Sequence, residues 1–370
     1  MTKWYADNSR YKSGFECPWR RLVGYHANTT GYSPHIQPSS ISTGLLLHEG
    51  LEQLMLRAQK GPVDRQSVNN SIAGPALGPP QILDAPLTKL GAAELTGLLH
   101  AYARGVLPWL LENYDIVSTE EEFSLDVGDD IIWMARPDCV VRSKTTGLPS
   151  IVEFKTTAAK ADRMAAIYTN SMQTIMNSYA VSQKYGQPCE SAQIHLLQLG
   201  TEQWPTAITH AYYRPGNPPY TAEDWQPTGR GPSGQWLGKL YRRVAVHEHR
   251  PTDEWVWAMP ESALSNLVPV VPNAIDPKVQ GLRVMQALDS IRSNENWWRT
   301  QLAKVDWDKD TGGQLSASFP RTFACTQYNR ECQFYSYCFD PDNYNITLGR
   351  PPIGFQTRIP HHPQEGELDL

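Results

Sequence analysis

Apolar residues along this chain follow two spacings, and each spacing predicts its own kind of secondary structure. Recurrence at every third or fourth position indicates an amphipathic helix, and it occurs at 45–55, 87–114, 159–185 and 277–303. The first helix follows the cap candidates Ser42 and Thr43, and the third ends at Gly186. We therefore expect four helical regions, two before residue 120 and two after residue 158.

Strand signals lie between the second and the third of these helices. Alternating or short apolar runs occur at 121–127, 130–142 and 150–157, separated by turn signals that contain glycine. Because short turns join neighbouring strands in opposite directions, these three runs predict an antiparallel meander. Later strands are predicted at 192–200 and 208–215.

Charge and composition limit the classes of protein to which the chain can belong. Its 370 residues, 40% of them hydrophobic, can bury a substantial core, so a largely disordered chain is excluded. The net charge of -5 excludes a broadly basic surface, so a nucleic-acid partner would need a local groove or bound cations. The N-terminus has no signal-like apolar core, and no run of about 20 apolar residues occurs, so we expect an intracellular protein without membrane contact.

The strand at 150–157 carries two charges that a fully buried strand would avoid. Glu153 and Lys155 share one face, while Phe154 between them turns to the other. Asp138 lies in the preceding strand run, so pairing of the two strands would bring both carboxylates to one point. Two carboxylates and a lysine suit a Mg²⁺ or Mn²⁺ site, where water is activated and phosphate charge is neutralised. The open alternative is an ion pair between Glu153 and Lys155 on a solvated face.

Two predicted helices offer further polar groups to this point. His48 lies among leucines in GLLLHEGLE, where a histidine taken alone is more often a core or surface residue than a ligand. The run does not fit the HExxH pattern of zinc proteases, because Glu52 stands where the second histidine is required. Gln173 follows Glu153 by 20 residues on the next helix. Its amide would face a metal-bound water or a phosphate, and a solvated glutamine is the alternative.

The six cysteines are too few and too unevenly spaced for a small disulfide scaffold. Cys325, Cys332 and Cys338 follow one another as C-x6-C-x5-C near the C-terminus. In a reducing compartment such a group favours a metal or iron–sulfur site over disulfides. Cys139, in an apolar strand run, and Cys189, in a separate loop, are interpreted as structural thiols.

The order of the polar residues resembles that of the RecB-like branch of the PD-(D/E)XK nucleases. In that family a helix supplies His, two strands supply Asp and ExK, and the following helix supplies Gln, usually in the pattern QxxxY. The matching residues here are His48, Asp138, Glu153, Lys155 and Gln173, and Asn177 occupies the Tyr place. The resemblance implies an α/β fold with a PD-(D/E)XK restriction-endonuclease-like core, a central mixed sheet flanked by helices, and helical N- and C-terminal regions joined by a metal cluster.

The resemblance also implies a role for each residue in the hydrolysis of a phosphodiester bond. The implied catalytic residues are Asp138, Glu153, Lys155 and Gln173, with Lys155 as the catalytic cation and Gln173 as a supporting polar group. The implied ligands of Mg²⁺ or Mn²⁺ are His48, Asp138, Glu153 and the main-chain carbonyl of Phe154.

The cysteines resemble those of an iron–sulfur subgroup of the same family, found in AddB, in CRISPR-associated RecB-type exonucleases and in phage-encoded exonucleases. One N-terminal cysteine there joins three C-terminal ones, often spaced C-x2-C-x5-C. The resemblance implies a 4Fe–4S cluster on Cys17, Cys325, Cys332 and Cys338, which would staple the two chain ends around the nuclease core. Four thiolates also suit Zn²⁺, which is the alternative.

The implied function is that of a metal-dependent DNA exonuclease acting on single strands or duplex ends, in phage or bacterial DNA processing or recombination. Such a protein would work in the cytoplasm of a bacterium or a phage-infected host. The chain has no P-loop motif, so a recombination or helicase partner would be a separate protein. A catalytically weak DNA-binding or recombination-accessory protein that keeps the nuclease fold is the alternative. The candidate DNA contacts are Arg20, Arg21, Arg163, Arg242, Arg243, Trp19, Tyr25 and Trp236.

Four consecutive regions follow from these assignments. We expect an N-terminal helical region with His48 and the first cluster cysteine at 1–120, and the nuclease core at 121–213. A loop and helical extension at 214–320 precedes the three-cysteine segment and tail at 321–370.

Overall fold

The computed structural model has an α/β fold with mixed sheets and helices. It describes residues 3–27, 30–35, 39–63, 99, 102–103, 106–157, 167–168, 171–198, 212–213, 225–226, 239–244, 251–258, 270–274, 277–306, 315, 317–322, 332–335, 338, 351–352 and 354–359.

The described residues form both helices and strands. The helices are α1 (Asn8–Glu16), α2 (Pro18–Arg21), α3 (Ser39–Ala58), α4 (Leu107–Asn113), α5 (Met172–Tyr185) and α6 (Pro277–Leu302), and a π-helical turn covers Leu22–His26. The strands are β1 (Trp4–Asp7), β2 (Tyr32–Pro34), β3 (Tyr114–Thr119), β4 (Phe123–Gly128), β5 (Ile131–Ala135), β6 (Cys139–Ser143), β7 (Pro149–Thr157), β8 (Ser191–Gln198), β9 (Tyr212–Tyr213), β10 (Trp225–Gln226), β11 (Lys239–Val244), β12 (Pro251–Ala258), β13 (Val270–Ala274) and β14 (Phe355–Thr357). None of the described helices is long and apolar enough to cross a membrane.

The chain divides into two compact units, each of which gathers separate stretches of sequence. The terminal unit contains Met1–Pro38, Glu122–Arg136 and Pro277–Leu370. The central unit contains Ser39–Glu121 and Pro137–Asp276. The four region boundaries expected from the sequence stay predictions.

The central unit is built on a five-stranded mixed sheet in the order β13-β8-β7-β6-β3. β6 pairs antiparallel with β7, as the sequence predicts, and β7 pairs parallel with β8. A parallel pair needs a crossover connection, and α5 lies in the one that joins β7 to β8. The middle strands carry apolar residues on successive positions, because both faces of such a sheet are covered. Ile151, Val152, Ile194 and Leu196 accordingly have no exposed surface.

One face of β7 packs against the amphipathic helix α3. Leu47, Leu51 and Leu54 of α3 join Val152 and Phe154 of β7 in one apolar cluster. These leucines recur at every third or fourth position, so their burial fixes the rotation of the helix about its axis. The predicted helix around His48 is therefore confirmed, and so are α6 and β8.

The strand predicted at 130–142 is two strands in two units. β5 joins the three-stranded sheet of the terminal unit, in the order β1-β5-β4, whereas β6 belongs to the central sheet. Pro137 stands between them, and a proline has no N–H to donate to a strand ladder. The predicted single meander is therefore wrong, since β4 with β5 and β6 with β7 form separate antiparallel pairs.

Two predicted helices differ from their apolar patterns. Of the helix predicted over 87–114, residues 87–98, 100–101 and 104–105 lie outside the described residues, and α4 covers the last part. Strand β3, which the pattern missed, follows α4 directly. Within the range 159–185, Ile167 and Tyr168 are helical, and residues 159–166, 169 and 170 lie outside the described residues. Helix α5 begins after Ser171, whose backbone is extended and whose side chain caps the helix. Gly186 ends α5 in the left-handed conformation, as predicted.

The core of the terminal unit encloses an ion pair. The side chains of Arg21 and Glu295 have no exposed surface, and two guanidinium nitrogens donate to the two carboxylate oxygens at 2.8 Å and 2.5 Å. Trp4 donates its indole N–H to the same carboxylate at 2.8 Å. His26 stacks between Trp4 and Trp298, with ring centroids 5.8 Å and 5.4 Å away. Burial and the neighbouring Arg21 lower the pKa of His26 well below its ordinary value, so it is a neutral ring at physiological pH.

This packing corrects two of the predicted DNA contacts. Arg21 and Trp19 have no exposed surface, so neither reaches a phosphate or a base. Arg20 is partly exposed and pairs with Glu16 at 2.8 Å. The side chains of Arg163, Arg242, Arg243 and Trp236 lie outside the described residues.

Candidate active site

The residues of the predicted motif meet at one end of the β6–β7 ladder in the central unit. Cys139 pairs with Val152, so the register places Asp138 opposite Glu153. The backbone N–H of Phe154 donates to Asp138 Oδ2 at 2.6 Å. The backbone of β7 therefore holds the Asp138 carboxylate directly beside the charged face of the strand.

His48 approaches Asp138 from helix α3. Its Nδ1 atom lies 3.3 Å from Asp138 Oδ1, and 28% of its side chain is exposed. Burial lowers the pKa of His48, but the Asp138 carboxylate outweighs burial, and the pKa is raised above its ordinary value. Asp138 and His48 thus form a close polar pair at the solvent-accessible edge of the site.

Lys155 brings a positive charge to the same point. Its Nζ atom lies 3.2 Å from Glu153 Oε2 and 3.8 Å from Asp138 Oδ2, and its side chain is 15% exposed. Burial alone would lower the pKa of Lys155, but Asp138 and Glu153 together raise it. Lys155 is therefore a permanent cation with limited access to solvent.

Glu153 is fully buried, and two carboxamides from α5 hold it. Gln173 donates to Oε2 at 2.9 Å, and Asn177 donates to Oε1 at 2.6 Å. Residues four apart lie on the same side of a helix, so one face of α5 supplies both donors. Burial raises the pKa of Glu153 to about 7, although Lys155 acts in the opposite direction. The amide of Gln173, expected beside a metal-bound water or a phosphate, therefore contacts Glu153 in this structure.

The pKa values of Asp138 and Glu153 are shifted in opposite directions. Burial would raise the pKa of Asp138, but His48, Lys155 and the Phe154 N–H outweigh burial and lower it below its ordinary range. Asp138 is thus ionised at neutral pH, whereas Glu153 lies near the middle of its titration there. Opposite shifts in neighbouring carboxyl groups are typical of sites that bind ions or transfer protons.

Phe154 lies between Glu153 and Lys155 in β7, and its side chain anchors the strand in the core. Its side chain is 2% exposed, and it packs edge-on against Tyr102 and His195 at centroid distances of 5.4 Å and 5.8 Å. Tyr102 and His195 are joined by a hydrogen bond of 2.9 Å, and burial lowers the pKa of His195 to about 3. A rigid, neutral apolar support therefore lies behind the charged face of the strand, as the sequence predicts for Phe154.

Glu120 is a member of the site that the sequence did not reveal. One ligand atom each from His48, Glu120 and Asp138 lie within 4.8 Å of one another. Glu120 follows β3, and its backbone N–H donates to the Asp138 carbonyl at 3.1 Å. The available signal for β3 was a group of three β-branched residues, Ile116, Val117 and Thr119. A strand there would have placed Glu120 at the same end of the sheet as Asp138.

The cysteines expected at a cluster belong to the terminal unit. Cys17, Cys332 and Cys338 form no disulfide among the described residues, and Cys325 lies outside those residues. Thr322, three residues before Cys325, donates its hydroxyl to the Glu16 carbonyl at 2.5 Å, one residue before Cys17. Their shared site stays a prediction, and this contact brings the chain leading into Cys325 beside Cys17.

Two further contacts join the same segments. The guanidinium of Arg321 lies 4.5 Å from the ring centroid of Trp19, which is two residues after Cys17. Phe334, between Cys332 and Cys338, packs so closely on Gly24 that a Cβ there would lie 3.3 Å from its ring. The buried indole N–H of Trp19 has no acceptor among the described residues. A buried donor without an acceptor is compatible with a sulfur-containing group at this place.

Cys139 and Cys189 have the surroundings expected of structural thiols. Both are buried, and neither forms a disulfide. Burial raises the pKa of Cys189 to about 12, and burial together with Asp138 raises the pKa of Cys139 further. Thiols with such pKa values stay protonated and are poor nucleophiles and poor metal ligands.

The chain was compared with known protein families and with curated proteins. No family model matches the chain, and no curated protein matches it. The interpretation of the site accordingly rests on its own geometry and chemistry.

Proposed function

We propose that this chain is a metal-dependent DNA nuclease with a PD-(D/E)XK core and active site in its central unit. The observation that carries the proposal is that Lys155 Nζ lies within 4 Å of both Asp138 and Glu153 at the end of the β6–β7 ladder, with His48 beside Asp138. An ionised carboxylate, an imidazole and a partly buried lysine at the ends of neighbouring strands are groups that can serve metal-assisted phosphodiester hydrolysis.

The donor atoms around Asp138 fit a divalent cation. Asp138 is ionised, Glu120 adds a second carboxylate, and His48 adds an imidazole nitrogen. Oxygen-rich sites with one nitrogen suit Mn²⁺, and Mg²⁺ where carboxylates dominate. A bound Mg²⁺ or Mn²⁺ would lower the pKa of a water molecule and neutralise phosphate charge. His48 and Asp138 would hold the ion, together with the Phe154 carbonyl and Glu153 in the family-like arrangement.

The protein's own residues would stabilise charge on the phosphate and hold the site in position. Lys155 keeps its proton because two carboxylates surround it, so it presents a fixed positive charge to a phosphate on which negative charge develops. The Phe154 N–H and the packing of the Phe154 ring hold Asp138 and Lys155 in register. Gln173 and Asn177 orient Glu153, which limits the rearrangement that the site needs during the reaction.

DNA is the proposed substrate, as single strands or duplex ends, and exonuclease action is the proposed mode. Both are what the resemblance of the motif residues to RecB-like nucleases implies. In the terminal unit we assign a structural 4Fe–4S cluster to Cys17, Cys325, Cys332 and Cys338, supported by the Thr322–Glu16 contact. Brown protein that contains iron and acid-labile sulfide supports the cluster, whereas colourless protein with stoichiometric zinc supports Zn²⁺ instead.

One observation favours a second candidate, a DNA-binding or recombination-accessory protein with weak catalysis. Both Glu153 oxygens accept carboxamide hydrogen bonds, and the residue is fully buried. A carboxylate held in this way is a poorer metal ligand than an accessible one, and turnover would be slow.

End-labelled single- and double-stranded DNA, incubated with the full chain and Mn²⁺ or Mg²⁺, tests the proposal. Asp138→Ala and Lys155→Ala are expected to lower the cleavage rate by about 10²-fold or more. The matched controls are Asp115→Ala and Lys144→Ala, because these two residues form an exposed ion pair at 3.5 Å in the same unit. The controls should cleave at the wild-type rate, and EDTA should abolish cleavage.

Equal, metal-independent cleavage by all five proteins contradicts the nuclease assignment. Retention of DNA without cleavage, measured by a gel shift of the same labelled strands, supports the accessory alternative instead.

A further inference from the structure

We propose that Glu120 is a ligand of the divalent ion, and that in the resting protein the ion is held by His48, Glu120 and Asp138 rather than by Glu153. The inference rests on the proposed function and changes which carboxylates bind the ion. No sequence motif marks Glu120, and only its place in the fold brings it to Asp138.

The two oxygens of Asp138 have different surroundings. Oδ2 accepts the Phe154 N–H at 2.6 Å and lies 3.8 Å from the Lys155 ammonium. Oδ1 faces His48 Nδ1 at 3.3 Å. A cation bound through Oδ1 would replace the proton between Oδ1 and His48 Nδ1 and gain an imidazole lone pair, whereas one bound through Oδ2 meets a lysine and a backbone N–H. Electrostatics therefore favours the His48 side of Asp138.

Glu153 offers little to a cation in this arrangement. Asn177 donates to Oε1 at 2.6 Å, and both Gln173 and Lys155 lie within hydrogen-bond distance of Oε2, at 2.9 Å and 3.2 Å. An ion at Glu153 would have to displace one of these donors and would lie beside the Lys155 charge. The three donors thus hold Glu153 as a partner of lysine and amides.

Glu120 stands on the side that His48 occupies. Its carboxylate has an oxygen within 4.8 Å of ligand atoms of both His48 and Asp138. Its backbone N–H donates to the Asp138 carbonyl, so the end of β3 and the start of β6 are fixed to each other. A neutral imidazole and two carboxylates provide one nitrogen and two or more oxygens, and their two negative charges match a divalent ion.

Binding of Mn²⁺ to the full chain, measured by isothermal titration calorimetry, tests the assignment without reference to DNA cleavage. The variants are Glu120→Gln, Glu153→Gln and Asp138→Asn, and Glu121→Gln is the matched control because it removes the neighbouring carboxylate. We expect Glu120→Gln to weaken binding roughly tenfold or more, and Glu153→Gln to weaken it less than about threefold. Glu121→Gln should bind like the wild type.

Two results overturn the inference and leave the proposed function standing. One is wild-type affinity in Glu120→Gln when Asp138→Asn has lost binding. The other is a larger loss in Glu153→Gln than in Glu120→Gln. A wild-type protein that binds no Mn²⁺, or binds it as weakly as Asp138→Asn, overturns the proposed function as well.

Melting temperatures separate loss of a ligand from loss of the fold. In EDTA, Glu120→Gln should melt in one cooperative transition, which shows that the variant folds. Added Mn²⁺ should raise the melting temperature of the wild type and of Glu121→Gln but not that of Glu120→Gln, since an ion stabilises only a protein that binds it. If Glu120→Gln does not fold, Glu120→Asp keeps the charge on a shorter side chain and should show a reduced rise. An undiminished rise in either variant contradicts the inference.

Discussion

Two buried charged clusters lie in the two units of this chain, and they are built in opposite ways. In the terminal unit, Arg21 and Glu295 match one charge to one charge, with two hydrogen bonds between them and no exposed surface. In the central unit, Asp138, Glu153 and Lys155 are packed at a sheet edge, and His48 beside them is 28% exposed. The first cluster is closed, and the second is open to a further charged group.

The contrast separates two uses of buried charge. In a matched pair enclosed by aromatic rings, the charges already satisfy each other and bind no further ion. Such a pair therefore affects stability and the uniqueness of the packing. A cluster with several carboxylates, opposite pKa shifts and an edge toward solvent keeps capacity for a cation. The following changes are expected to affect the two clusters differently, and they run from the largest effect to the smallest.

Breaking the closed pair should cause the largest loss of stability. Arg21→Met leaves Glu295 buried without its cation, so we expect the free energy of unfolding to fall by about 3–5 kcal/mol. Urea denaturation followed by tryptophan fluorescence measures the change.

The double variant Arg21→Met with Glu295→Leu is the control for that experiment. Removal of both charges leaves no unpaired ion, so more than half of the lost stability should return. If the double variant is as unstable as the two single losses added together, the pair is not the closed unit described above.

The open cluster should make stability depend on pH. Burial raises the pKa of Glu153 from 4.5 to about 7 in the folded chain. Between these values the unfolded chain has released the proton and the folded chain still holds it, so the free energy of unfolding falls as the pH rises. The expected loss across this window is of the order of 3 kcal/mol at most in metal-free protein.

Urea denaturation in EDTA at several pH values between 4.5 and 7 measures this loss against Glu153→Gln, which cannot ionise. The variant should gain relative to the wild type as the pH rises through the window. Parallel profiles for the two proteins would mean that Glu153 titrates normally.

Removing a carboxamide donor should have a smaller effect. Asn177→Ala leaves Glu153 Oε1 without the hydrogen bond of 2.6 Å, and we expect a loss of about 1–3 kcal/mol in the free energy of unfolding. Gln183→Ala, at an exposed position of the same helix, is the matched control and should cost less than about 0.5 kcal/mol. Equal effects of the two changes would show that the Asn177 contact does not hold Glu153.

Local patterns were enough to predict the centre of the candidate site. The alternation in β7 placed Glu153 and Lys155 on one face and Phe154 on the other, and the β6–β7 pairing put Asp138 opposite them. The apolar stripe of α3 likewise predicted a helix that carries His48. These features depend on residues close together in sequence, or on one turn between two strands.

The missed features depend on partners that lie far apart in sequence. Arg21 looked like a surface residue because Glu295, 274 positions away, leaves no mark near it in the sequence. Glu120 was missed because the helix pattern ends at Tyr114 and the apolar spacing predicts no strand over 115–119, where β3 lies. The role of Asn177 was missed because the side-chain contact to Glu153 depends on how α5 packs on the sheet. Tertiary packing decided all three.

Anomalous scattering at the manganese edge, from crystals of the full chain soaked in MnCl₂, tests the difference between the two clusters most directly. We expect a peak at bonding distance, about 2.1 Å, from Asp138 and His48, and none against Arg21 and Glu295. Bound manganese that avoids Asp138, or no bound manganese at all, would contradict this expectation.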